Sequence, residues 1–178
     1  LEIDGFGKIC IDLVCVGGFF AMVSARSIGI ALEPENSHRL IPLGMSVIKA
    51  ANSTFRVYHP ERQEVNTVDV TQFYDENPQL KTGKSVVIDG ESNMDRSPCG
   101  TGTTARMTLL HHQGKLDPGQ VYKNTGPLGT LFEGRIVKTL PIGKFSGMIG
   151  QIRGNAQITG YHQFVVDAND PFPKGFLI

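Results

Sequence analysis

The residues with the clearest chemical potential lie in one run, Asp95-Arg96-Ser97-Pro98-Cys99-Gly100-Thr101-Gly102-Thr103-Thr104, where a thiol stands between proline and glycine. Directly after it, Ala105-Arg106-Met107-Thr108-Leu109-Leu110-His111-His112 is compatible with a helix. A helix opening here leaves its first N–H groups without intrahelical partners, and these carry the positive end of the helix dipole. They stabilise a thiolate beside them or a carboxylate laid across them. Free cysteine ionises near a pKa of about 8.5, and helix N-termini or nearby cations bring it to roughly 3.5–7.5, the range of a base working at neutral pH. Cys99 is therefore read as an acid–base group that needs no metal, against the alternative of an inert buried thiol.

The residues from Asp95 to Thr103 resemble, letter for letter, the second active-site motif of the proline racemase and hydroxyproline epimerase family, DRSPCGTGT. The likeness continues in Ile11-Asp12-Leu13, Phe19-Phe20-Ala21-Met22-Val23, Gly129-Thr130-Leu131-Phe132-Glu133-Gly134-Arg135 and Asp170-Pro171-Phe172-Pro173-Lys174-Gly175-Phe176. The resemblance implies paired cysteines flanking the α-carbon of a proline-type amino acid, one removing the α-proton as thiolate while the other, as thiol, delivers a proton to the opposite face. Cys99 would be one of the pair. The N–H groups of Gly100 and Thr101 would hold the substrate carboxylate, and Asp95 would receive the ring ammonium. Elementary chemistry agrees: fixed donors on a carboxylate acidify the adjacent C–H, and a residue without Cβ at position 100 lets backbone approach a ligand. Also implied are a cofactor-free, metal-free site and an α+β fold of the diaminopimelate epimerase type. In that fold a curved, mostly antiparallel sheet wraps a central helix in each of two facing halves. A homodimer is compatible with the resemblance.

The sequence departs from the family pattern in ways that bear on function. The family's other cysteine, in a Met-Cys-Gly-His motif of the other half, has no counterpart here. Cys10 and Cys15 sit in the apolar run Ile9–Val16, read as a buried strand in which both are core filler; their odd offset points them to opposite faces. With Leu1 as its first residue, the chain is expected to be the C-terminal half of such an enzyme, a single domain over 1–178 that is inactive alone. Its partners would then be the missing half and an amino-acid substrate. Ten residues before Cys99, where proline racemases carry an aromatic residue, stands Asp89. A carboxylate there would disfavour an apolar ring and accept a hydrogen bond from a ring hydroxyl, since an unpaired buried polar group costs roughly 1–3 kcal/mol. That tilts the expected substrate toward hydroxyproline. Alternatively, Asp89-Gly90 is only a turn. Val16-Gly17-Gly18 replaces the usual Gly-Gly-Asn. Members acting as 3-hydroxyproline dehydratases carry Thr at the position of Cys99, so a cysteine there favours inversion over elimination. A competing reading is a non-catalytic domain that binds a small carboxylate or serves assembly.

Composition narrows the remaining classes. The 178 residues carry 17 basic and 17 acidic side chains, so no electrostatic footprint for nucleic acid or an anionic membrane is visible. No apolar run approaches the ~20 residues that span a bilayer. The 3 cysteines lack paired spacing, which fits a reducing, cytoplasmic setting. His111 and His112, about 100° apart on a helix, cannot chelate together, and His162, placed in a probable strand, has no Cys or His companions for zinc. Gly100-Thr101-Gly102 lacks the rest of a dinucleotide or phosphate-loop fingerprint.

The elements that must position these groups read as follows. Lys8–Val16 and Phe19–Ser24 are strands across Gly17-Gly18. A helix opens at Glu33-Pro34-Glu35-Asn36 with Leu40, Leu43, Val47, Ile48 and Ala51 on its apolar face, kinked or shortened at Pro42. Thr67–Tyr74 and Lys84–Ile88 are strands separated by a polar loop with Pro78. The helix carrying Cys99 runs from about Thr101 to Gln113, apolar nearly all round and so buried. From Gly119 to Gly160, recurrent glycines among short apolar segments mark an antiparallel meander.

Overall fold

A computed structural model describes residues 1–77 and 82–175; the Pro78 loop lies outside the described residues. Strands β1 (Glu2–Ile3), β2 (Gly7–Lys8), β3 (Asp12–Val16) and β4 (Gly18–Ser24) precede a short helix α1 (Ala25–Ile28) and a 3-10 turn at Pro34–Asn36 that leads into α2 (Ser37–Thr54). Strands β5 (Val68–Asn77), β6 (Thr82–Asp89) and β7 (Asn93–Met94) are followed by α3 (Gly100–His112) and by β8 (Val121–Thr125), β9 (Leu131–Ile142) and β10 (Phe145–Arg153). The main sheet has the order β10-β9-β8-β6-β5-β4-β3, with β7 on β6. Pairings are antiparallel except β4–β5 and β6–β8, which are parallel.

The parallel pairs explain where the helices go. Each is bridged by a helix, α2 between β4 and β5 and α3 between β6 and β8. Both crossovers step the same way across the sheet, but β5 and β6 are antiparallel, so the second starts from a strand of opposite direction. With right-handed crossovers the two helices must then lie on opposite faces. They do: Gly44 of α2 packs on Ile88, where an added Cβ would stand 2.8 Å from the Ile88 side chain, whereas Gly102 of α3 faces Val87. Alternation along β4 divides its side chains the same way, Ala21 and Val23 joining the α2 core while Phe20 and Met22 join Ala105 and Leu109 of α3. A further cluster, Met107, Leu110, Leu116, Tyr122 and Ile136, packs the other flank of α3. The two ends of the strand order, β3 and β10, both touch α3, so the sheet curls around this helix.

Several sequence expectations need correction. The run from Lys8 to Val16 is not one buried strand: β2 ends at Lys8, Ile9 turns into the α2 core, and β3 starts at Asp12 as an edge strand. Cys10 is consequently exposed and Cys15 only half-buried, so neither is core filler. Pro42 does not end its helix, which continues to Thr54. The carbonyl it leaves without a donor belongs to His38, an exposed residue of the first turn that water can serve, while Leu40, Leu43, Val47 and Ala51 hold the helix on the sheet. The antiparallel meander stops at Arg153, and His162 lies in no strand. Residues 154–175 form no helix or strand, and all are exposed.

Candidate active site

The loop before α3 is tied down at each residue. Asp95 donates its N–H to the Val87 carbonyl at 2.9 Å, which fixes the loop to β6. Its Oδ1 accepts from the Ser97 N–H at 2.8 Å, and Ser97 Oγ accepts from the Cys99 N–H at 3.0 Å. Cys99 caps α3 with φ 60° and ψ 125°, a region that favours glycine. Strain of this kind costs on the order of 1–3 kcal/mol and persists only where surrounding structure over-determines it. The conformation turns the thiol back over the first turn, where Sγ accepts from the Gly102 N–H at 3.3 Å and lies 3.3 Å from Thr101 Oγ1. The Cys99 carbonyl opens the helix by accepting from Thr103 N–H at 2.8 Å.

Burial pushes the Cys99 thiol above its ordinary pKa; the Thr101 hydroxyl and Gly102 N–H pull the other way, and the Asp95 carboxylate adds to the rise. The expected depression at a helix start is thus not met. Losing water outweighs two hydrogen bonds, and the charge that acts on the sulfur, Asp95, has the wrong sign to help a thiolate.

The N–H groups of Gly100 and Thr101 have no acceptor among the described residues, and the space over the Gly100 Cα is open. Both lie in the first turn of α3, next to the residue that carries the sulfur. Asp95 and Cys99 share the same loop and act on each other electrostatically. Asp89 ends β6, paired with Val70 and Asn93, and Gly90 follows at φ 46° in the turn toward β7. Alternation nevertheless places Asp89 on the face of Ser85 and Val87, the one that carries α3. The histidines stand apart from this group: His111 Nδ1 meets the Leu116 carbonyl at 2.9 Å, and His112 is exposed at the far end of α3.

Beneath the loop lies a polar cluster that sequence reasoning missed. Asn124, Ser85, Gln72 and Thr103 are fully buried and hydrogen-bonded to one another and to the Pro98 carbonyl. The available signal was Asn124 itself, a carboxamide at an inward position of β8 two residues from buried Tyr122. Gly126, just after β8, backs the same loop: a Cβ there would fall 2.7 Å from the Ser97 carbonyl carbon. Farther along α3, Arg106, 1% exposed, pairs with Glu76 and lies 3.7 Å from the centre of the Tyr74 ring, anchoring the helix to β5.

Comparison with known proteins gives one family. The proline racemase family model matches residues 1–177. Proline racemase of Clostridioides difficile is 38% identical over 180 residues, and that of Acetoanaerobium sticklandii is 39% identical over 183, each match taking in the whole of this chain. The chain spans 53% and 54% of these relatives' lengths. Among solved structures, a hydroxyproline epimerase from Agrobacterium vitis with bound trans-4-hydroxy-L-proline aligns at TM-score 0.88 and 31% identity, over the whole of this chain and 51% of the other. A probable proline racemase from Agrobacterium radiobacter K84 with bound carbonate aligns at TM-score 0.88 and 29% identity over 52% of its length.

Proposed function

The chain belongs to the proline racemase family, and on that premise we propose that it supplies one of two acid–base thiols for cofactor-independent stereoinversion at the α-carbon of a proline-type amino acid. The observation that carries this reading is the convergence on one loop of a partly exposed thiol, two N–H groups without acceptors among the described residues and a carboxylate. The substrate carboxylate would lie across the Gly100 and Thr101 N–H groups, and the ring ammonium against Asp95. As the α-proton leaves, the C–H electron pair moves into the carboxylate, and donors already in place stabilise the growing charge. An ammonium against Asp95 also offsets the charge that adds to the burial-driven rise of the Cys99 pKa. The bound substrate thus makes its own base easier to ionise. In one direction Cys99 takes the α-proton; in the other, its thiol returns one.

Inversion needs a second acid on the opposite face, and we assign it to a companion half, because the chain spans about half the length of the relatives it matches. The exposed segment 154–175 supports this assignment. Tyr161 and Phe164 are 91% and 90% exposed there, and soluble surfaces rarely leave so much contiguous apolar side chain uncovered. We assign 4-hydroxyproline over proline on Asp89, which shares the α3 face and can accept from a ring hydroxyl.

The test is deuterium incorporation from solvent into L-proline and 4-hydroxy-L-proline. The full-length protein is expected to label the α-carbon while inverting it, faster with the hydroxylated ring, and Cys99→Ser to do neither while remaining folded. Binding of either ligand without α-label would instead make this a carboxylate-binding domain.

A further inference from the structure

The relay under Cys99 has one direction. Gln72 Nε2 donates to Ser85 Oγ at 2.9 Å, Ser85 donates to Asn124 Oδ1 at 3.1 Å, and Asn124 Nδ2 donates to Thr103 Oγ1 at 3.0 Å and to the Pro98 carbonyl at 3.3 Å. Thr103 Oγ1 in turn donates to the same Pro98 carbonyl at 3.2 Å. Each hydroxyl accepts once and donates once, which leaves the Asn124 carboxamide a single orientation, its NH2 toward the loop. Four polar side chains without access to water are expensive to bury unless their bonds are used. None of them touches the Cys99 sulfur. What they hold is the peptide carbonyl immediately before Cys99 and the residue whose N–H bonds the Cys99 carbonyl. The backbone is therefore gripped on both sides of the one residue of the loop that sits at positive φ.

We propose that Asn124 is a positioning residue for Cys99: through Pro98 and Thr103 its carboxamide keeps the cysteine in its left-handed conformation and its sulfur over the Gly102 N–H, with Ser85 locking the carboxamide. The catalytic part of this inference rests on the proposed racemase or epimerase reading, whereas the conformational part stands without it. Without the clamp the loop relaxes toward ordinary φ values, and the sulfur moves off the donor that stabilises its thiolate. Ser97, whose Oγ accepts the Cys99 N–H, cannot hold the conformation alone, because it belongs to the same loop. The clamp has to come from β6 and β8.

The experiment measures alkylation of Cys99 by iodoacetamide against pH, read on the Cys99 peptide by mass spectrometry, together with kcat and KM on both imino acids, all in the full-length protein. The variants are Asn124→Ala and the milder Ser85→Ala, which leaves the carboxamide present but unlocked. Val47→Ala, in the α2 core on the other sheet face, serves as a control for simple destabilisation. Asp95, the charged group that acts on Cys99, and Arg96 of the same loop are unchanged throughout. We expect Asn124→Ala to raise the alkylation midpoint by about half a pH unit and to lower kcat at least tenfold with KM within threefold. Ser85→Ala should move both in the same direction by less, and Val47→Ala should lower thermal stability while moving neither. An unchanged or lowered midpoint in folded Asn124→Ala or Ser85→Ala overturns the inference, as does an equal shift in Val47→Ala. If wild-type protein turns over neither imino acid, the functional reading fails while the alkylation series still decides the clamp.

Discussion

On the proposed reading, Cys99 meets two opposing demands. It must be dry enough for its proton transfers to be controlled, and dryness holds the proton on. Asp95 couples these demands to the ligand, because its carboxylate opposes the thiolate until a cation covers it. Asp95→Asn is therefore expected to lower the pH midpoint of Cys99 alkylation, the sign following from removal of a negative charge beside a group that becomes negative. The same substitution should cost activity, since the ring ammonium loses its partner. A rate profile against pH for alkylation of wild type and variant checks the first outcome, and KM for the imino acid the second. A midpoint that rises on Asp95→Asn would contradict the assignment of Asp95 as the opposing charge.

At the scale of elements, the site depends on how closely β8 and its following turn approach the loop before α3. Gly126→Ala would set a methyl group 2.7 Å from backbone that cannot yield like a side-chain tip. We expect a loss of about 1–3 kcal/mol, the usual range for overpacking, measured by urea unfolding, and slower Cys99 alkylation because the loop must shift. Pro42 offers a contrast on the other face of the sheet. Pro42→Ala restores a donor for the His38 carbonyl and is expected to raise stability by about 1–3 kcal/mol, near the measured penalty for proline inside helices. Activity should be unchanged, since α2 packs on the face of the sheet that does not carry α3. Helices, strands and glycine-rich turns around the motif were legible because they follow local rules: β-branched and aromatic residues in β4 to β6, a glycine stop after α3, acids and proline before α2. The interruption of the strand between Lys8 and Asp12 was not legible. Apolar residues continue through it, and only the pairing of β2 with β1 rather than β4 separates the two strands.

As a whole molecule, this chain presents one side finished and one side open. Its sheet curls over α3 and its other face is covered by α2, yet residues 154–175 form no helix or strand and are all exposed. Limited chymotrypsin digestion of the 178-residue chain alone is expected to cut at Tyr161 and Phe164 first. If the segment packs on a companion half as proposed, the full-length protein should resist there. Equal cleavage in both would remove the assignment of that segment to the interface. On the proposed two-thiol reading, the chain alone is likewise expected to show no turnover, because it would supply one of the two thiols.

What the sequence by itself determined was the chemistry available: a thiol placed at a helix start, a carboxylate four residues before it, and glycines that keep backbone amides open, all local in the chain. That Cys99 sits at positive φ, with burial raising its pKa and a polar cluster holding the backbone on both sides of it, was decided only in three dimensions. Residues 72, 85 and 124 are far apart in sequence and meet because β5, β6 and β8 lie side by side. Burial, which sets both the pKa of the sulfur and the worth of those hydrogen bonds, is a property of the assembled sheet and helix rather than of any segment.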